Sequence, residues 1–181
     1  MASEHDAAPI AADAPPPDAS RLIARMAAAR ERLAAHATSG AHAGLTGADP
    51  ATGERWDAGQ VWAHLAEFPG YWLDQFEALL NARARGEREP IPFGRLRTDP
   101  GRVGAIERDR HEAAGRLHAR VDAGIVELER FVGRLMPQDW STLGLHPTLG
   151  PLRLSEMIER FVVGHLEEHA DQLDELRAHV A

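Results

Sequence analysis

A chain of 181 residues, 44% of them hydrophobic, can build one domain with a proper core but has little room for two. Its formal net charge of −8 argues against a general affinity for nucleic-acid phosphates or for an anionic membrane surface. The absence of cysteine excludes disulfides, a thiol nucleophile and thiolate metal ligands.

Residues 1–17 are mostly Ala, Pro and Asp and bury too little apolar surface to offset ordering entropy, so a disordered tail is expected there. This start lacks the basic and apolar regions of a signal peptide, and no stretch is apolar for long enough to span a bilayer. A cytoplasmic protein with no membrane partner is the expectation. The folded domain is expected over residues 18–181. Asp18 or Ser20 offers an N-cap, and Leu22, Met26, Ala29, Leu33 and His36 form the stripe of a first helix ending before Ser39-Gly40. After a Gly-, Thr- and Pro-rich connection, a second helical pattern runs from Trp56 to Gly86. Val61, His64, Leu65, Phe68, Trp72, Phe76, Leu79 and Leu80 lie on its core side, and Pro69 predicts a bend.

Residues 86–103 contain Pro90, Pro92 and Pro100 and form a long connection, in which Arg95 and Arg97 are either anion contacts or solvated. Ala114, Leu117, Val121, Ile125, Leu128, Val132 and Leu135 mark a third helix that Pro137 stops. Residues 136–153 read as turns, and Ser155 with Glu156 is expected to cap and charge a fourth helix. No useful length alternates with period two. The expected fold is all-α, a four-helix bundle with long crossover connections.

The fourth helix carries the chemistry. Leu154, Ile158, Phe161, His165, His169, Leu173 and Leu176 follow one face, so two histidines one turn apart lie on its apolar side. Imidazoles at that spacing can grip one metal ion. His64, in the middle of the second helix's stripe, points into the same core and is the candidate third ligand. Three neutral imidazoles with a position left open are the ligand count of a catalytic site. His36 and His118 fall at stripe edges and read as rim residues; His146 precedes the fourth helix and suits a pocket mouth. His5, His42, His111 and His179 read as solvent histidines. Trp72 is a core candidate, Trp56 a staple at the start of the second helix, and Trp62 and Trp140 suit a pocket wall or an oligomer face.

Two rival metal readings carry less. His165-Leu166-Glu167-Glu168-His169 satisfies the inverted zinc-peptidase pattern, with Glu168 as general base, but five letters are cheap and those enzymes are much larger. A di-iron carboxylate site needs glutamate three residues before each histidine, where Leu166 and Val61 stand.

The segment WDAGQVWAHLAE and the stretch HPTLGPLRLSEMIERFVVGHLEEHADQL resemble the two signature regions of the DinB superfamily. The resemblance covers residues 20–178 in order and spacing, with the three ligand positions filled by His64, His165 and His169. It implies a four-helix bundle binding one divalent ion, zinc or nickel first and iron or manganese as alternatives. It further implies a relative of the bacillithiol- and mycothiol-dependent transferases and maleylpyruvate isomerases. On that basis the expected function is a metal-dependent transferase acting on a small-molecule substrate with an external low-molecular-weight thiol. A hydrolase using metal-activated water and a non-catalytic or homodimerising bundle are the alternatives. Glu168, beside His169, is the candidate catalytic carboxylate. No nucleic-acid partner is expected.

Overall fold

The computed structural model describes residues 18–39, 42–50 and 52–178. The expected tail over residues 1–17, together with His5 and His179, lies outside the described residues. Four long helical segments enclose the core: α1 (Ala19–Thr38), α2 (Ala58–Ala84), α4 (Ala114–Arg134) and a final rod that includes α6 (Gly164–Ala178). Both α1 and α2 pack against α4 and α6, which places α1 and α2 on one diagonal and α4 and α6 on the other. Neighbouring walls of the square are therefore α2, which carries His64, and α6, which carries His165 and His169.

Local chemistry explains where these helices start. The Asp18 carboxylate accepts from the amides of Ser20 and Arg21 at 3.0 and 3.3 Å. Asp57 and Gln60 form a reciprocal capping box at the start of α2, with bonds of 2.8 and 3.1 Å. In the final rod the expected Ser155 cap is replaced by Glu156, whose carboxylate accepts from the Arg153 amide at 2.7 Å. Helix α2 continues through Pro69, whose ring lies against the small side of α4: a Cβ added at Gly124 would meet Pro69 Cβ at 2.7 Å.

The all-α expectation holds only coarsely. The chain is mostly helical, but a three-stranded sheet joins β1 (Ile91–Pro92), β2 (Leu143–His146) and β3 (Gly150–Arg153) in that order. β1 runs parallel to β2, and β2 pairs antiparallel with β3 in the register Gly144 to Leu152. These strands are too short, and too rich in Gly and Pro, to show an alternating pattern; backbone pairing such as Phe93 N–H to the Leu145 carbonyl at 3.1 Å holds them. The expected crossover also contains a further helix, α3 (Pro100–Asp109), started by Asp99 as cap and Pro100 in the first turn. Residues 86–103 and 136–153 are thus joined by strand pairing, with β1 against α2 and β3 against the start of the final rod.

The final rod departs from a regular helix. α5 (Leu154–Ile158) passes into a π-helical turn over Glu159–Val163 before α6 begins. The Gly164 amide donates to the Glu159 carbonyl, and a Cβ at Gly164 would sit 3.2 Å from that oxygen. The wider turn rotates the helix face. Leu154, Met157 and Ile158 are buried before it, Val162 and Val163 within it, and Leu166, Ala170, Leu173 and Leu176 after it, leaving Phe161 and His165 half-buried. No helix among the described residues is long and apolar enough to cross a membrane.

Candidate metal centre

His64, His165 and His169 meet where α2 faces α6. His64 Nε2 lies 2.9 Å from His165 Nε2, and His169 Nε2 lies 3.0 Å from the same atom. One ligand atom from each residue falls within 4.8 Å of the others. His64 and His169 are 3% and 4% exposed, whereas His165 is half-buried and borders a cavity of about 720 Å³. The cluster is thus closed on its core side and open on one other.

Every Nδ1 in the set faces an acceptor carried three residues further along its own helix. His169 Nδ1 lies 2.8 Å from Gln172 Oε1, His165 Nδ1 lies 3.5 Å from Glu168 Oε2, and His64 Nδ1 lies 3.6 Å from Glu67 Oε2. An acceptor at Nδ1 favours the tautomer that keeps its proton there and leaves Nε2 with a free lone pair. Three such lone pairs pointing at one another repel unless a cation lies among them. His64 Nδ1 and Glu67 Oε2 are buried without a close hydrogen-bond partner. Donor type, convergence and acceptor pattern all fit a divalent ion.

Burial holds His64 and His169 in the neutral form that a metal needs. It pushes His169 down to about 3, with His165 as the next cause, and drives His64 well below the ordinary histidine range with His169 and His165 adding to the effect. Glu168 is held below the usual carboxylate range chiefly by its bond to His165.

Aromatic rings fix the imidazoles from the other sides. Trp56 stacks on His169 at 6.0 Å with 3° between planes and meets His64 edge-on at 5.3 Å. Phe68 lies edge-on to His165 at 5.2 Å. Trp56 is therefore more than a staple at the start of α2; it backs two of the three histidines.

The structure moves other expected residues. His36, read as a rim residue, is 3% exposed, with Nε2 2.9 Å from Asp174 Oδ1 and Nδ1 3.1 Å from His42 Nε2. Its stripe edge is covered by α6 and by the connection carrying His42, which consequently is not a free solvent histidine. Trp62 is buried in the core against His118 and is not among the residues lining this cavity. Trp140 is buried. His146 does line the cavity. Glu168 lies on the cavity wall with its side chain 60% exposed, facing His165. Arg95 and Arg97 reach the cavity too, bound to Glu67 and Asp49.

Sequence reasoning missed Glu67 and Gln172. Their signal was present: each candidate histidine is followed three residues later by Glu or Gln, in His64–Glu67, His165–Glu168 and His169–Gln172. The contribution of Trp56 had no such signal, because it precedes α2 and reaches the site only through the fold.

No family model matches the chain, and no curated protein matches it. Among solved structures, the crystal structure of the colibactin self-resistance protein ClbS in complex with a dsDNA is similar, with a TM-score of 0.60 and 15% identity. The match covers 88% of this chain and 95% of that one. At this identity the likeness concerns the fold alone. It corrects one expectation. A protein of this fold has been solved on double-stranded DNA, so an acidic overall charge does not justify excluding a nucleic-acid partner. Net charge averages over the whole surface, whereas a phosphate meets only the local one.

Proposed function

We propose that the protein is a divalent-metal-dependent enzyme in which His64, His165 and His169 hold the ion and the cavity beside them receives a small substrate. The observation that carries this reading is the convergence of three Nε2 atoms, those of His64 and His169 on buried rings, each on a ring whose Nδ1 faces an acceptor. Such an ion, when bound, lowers the pKa of a coordinated water or thiol toward neutrality. The chain's own residues do the rest. Glu67, Glu168 and Gln172 orient the rings, Trp56 and Phe68 fix their planes, and the core side excludes water from His64 and His169.

Within this reading a transferase that borrows a low-molecular-weight thiol stands first. It draws on the resemblance to the DinB superfamily and is compatible with a chain that has no cysteine. Hydrolysis by metal-activated water uses the same ligands and is the second outcome. The test is metal analysis of untagged protein, with His165→Ala as control, followed by transfer assays with mycothiol, bacillithiol and glutathione. Stoichiometric zinc, nickel, iron or manganese that disappears in the variant is the expected result. A metal content near zero in the parent protein would end the proposal.

A further inference from the structure

The cavity beside the histidines carries Arg95, Arg97, Arg102 and Arg160, although the chain as a whole is acidic. Two of these charges are answered in place, Arg97 by Asp49 at 2.7 Å and Arg95 by Glu67 at 2.5 Å. Arg102 differs. It donates to the Arg97 carbonyl at 2.9 Å and lies 5.3 Å from the Trp56 ring centroid, and among the described residues no carboxylate forms an ion pair with it. Burial and the like charges of Arg95 and Arg97 disfavour its charged form, and Glu67 and Glu54 offset this only in part.

A half-buried guanidinium among like charges is unfavourable until an anion completes it, and its planar fork matches a carboxylate or phosphate. Arg160 adds a second cation on the cavity wall, exposed and without an ion-pair partner among the described residues. One part of the remaining wall is apolar. Trp72 and Phe161 stack at 4.5 Å, and Leu96 and Leu149 stand 47% and 40% exposed at the cavity. Glu54 and Glu168 also face the cavity and disfavour an anion elsewhere on its wall.

We propose that the cavity takes a small amphiphilic substrate whose carboxylate or phosphate group docks on Arg102, with Arg160 as auxiliary cation and an apolar body against Trp72 and Phe161. This substrate class rests on the metal-centre reading for the chemistry that follows binding, while the anion contact uses protein side chains alone. Arg102 is linked to the histidines through Trp56, which stacks on His169, so the bound anion is positioned relative to the metal centre.

The test is calorimetric titration of the full chain, metal-free and zinc-loaded, with benzoate, phenyl phosphate and benzyl alcohol. At least one anion is expected to bind about tenfold or more tightly than the neutral alcohol, and the two anions separate carboxylate from phosphate recognition. Arg102→Gln is expected to weaken that binding about tenfold or more, Arg102→Lys to restore part of it, and both to keep wild-type zinc uptake. Equal binding of anion and alcohol, no binding of either anion, or an Arg102→Gln variant that binds like the parent overturns the proposal. A labelled DNA duplex that binds through Arg102 in place of the small anions overturns it too. If Arg102→Gln does not fold, the preference of the parent protein for anion over alcohol decides alone. Anion binding without zinc binding would sink the metal reading and leave this one standing; zinc binding without anion preference does the reverse.

Discussion

Replacing His64 by leucine separates what this residue does for folding from what it does for metal. His64 is 3% exposed, its Nδ1 is buried without a close partner, and its Nε2 faces another imidazole nitrogen at 2.9 Å. An unsatisfied buried polar atom costs about 1–3 kcal/mol, and a leucine of similar bulk removes that cost. In chelator-treated protein the variant is therefore expected to unfold at the same denaturant concentration as the parent or a higher one. Zinc reverses the ranking. A ligand at a hundred times its Kd stabilises the native state by about 2.7 kcal/mol, roughly 5–11 °C in Tm for a chain of this size. The parent should show that shift and the variant should lose most of it, as read by thermal melts followed by circular dichroism with and without zinc. An undiminished zinc-dependent shift in His64→Leu would remove His64 from the site. A metal-free variant several kcal/mol less stable would mean that the histidine serves the core.

The remaining predictions probe positioning, protonation and packing. Glu67→Gln removes the negative charge facing His64 Nδ1 and is expected to weaken zinc binding about 10–100-fold in chelator competition, with the helical signal unchanged. Burial depresses His36, His64 and His169 in the folded state, so below the unfolded value of about 6.5 the unfolded chain takes up more protons. Metal-free stability should be full above that pH and fall by up to ~1.4 kcal/mol per pH unit for each such histidine, measured by urea unfolding between pH 7.5 and 5.5; a flat profile refutes the buried neutral state. His64→Leu should show a shallower decline. Gly124→Val drives a side chain into Pro69, whose Cβ stands 2.7 Å from the added Cβ, and should lower stability by about 1–3 kcal/mol in the same assay.

The periodicities of α1, α2 and α4 needed nothing beyond the sequence, because a helix that must bury one face writes that need into every third or fourth residue. The same local rule put His64, His165 and His169 on apolar faces and left His-x-x-Glu/Gln spacings to be read. Pairing lies beyond such a rule. β1 and β2 are joined by backbone bonds across some fifty residues of chain, and strands of two to four residues have no period of their own. The π-helical turn interrupts the last rod without a mark in the hydrophobic pattern, and Arg160 and Phe161 within it reach the cavity together with His165 beyond it. Local sequence determined that three histidines stand on apolar helix faces. Tertiary packing decided that α2 and α6 stand side by side, that Trp56 closes over two imidazoles, and that Arg160 shares one cavity with Arg95, Arg97 and Arg102, because each depends on contacts between residues far apart in the chain.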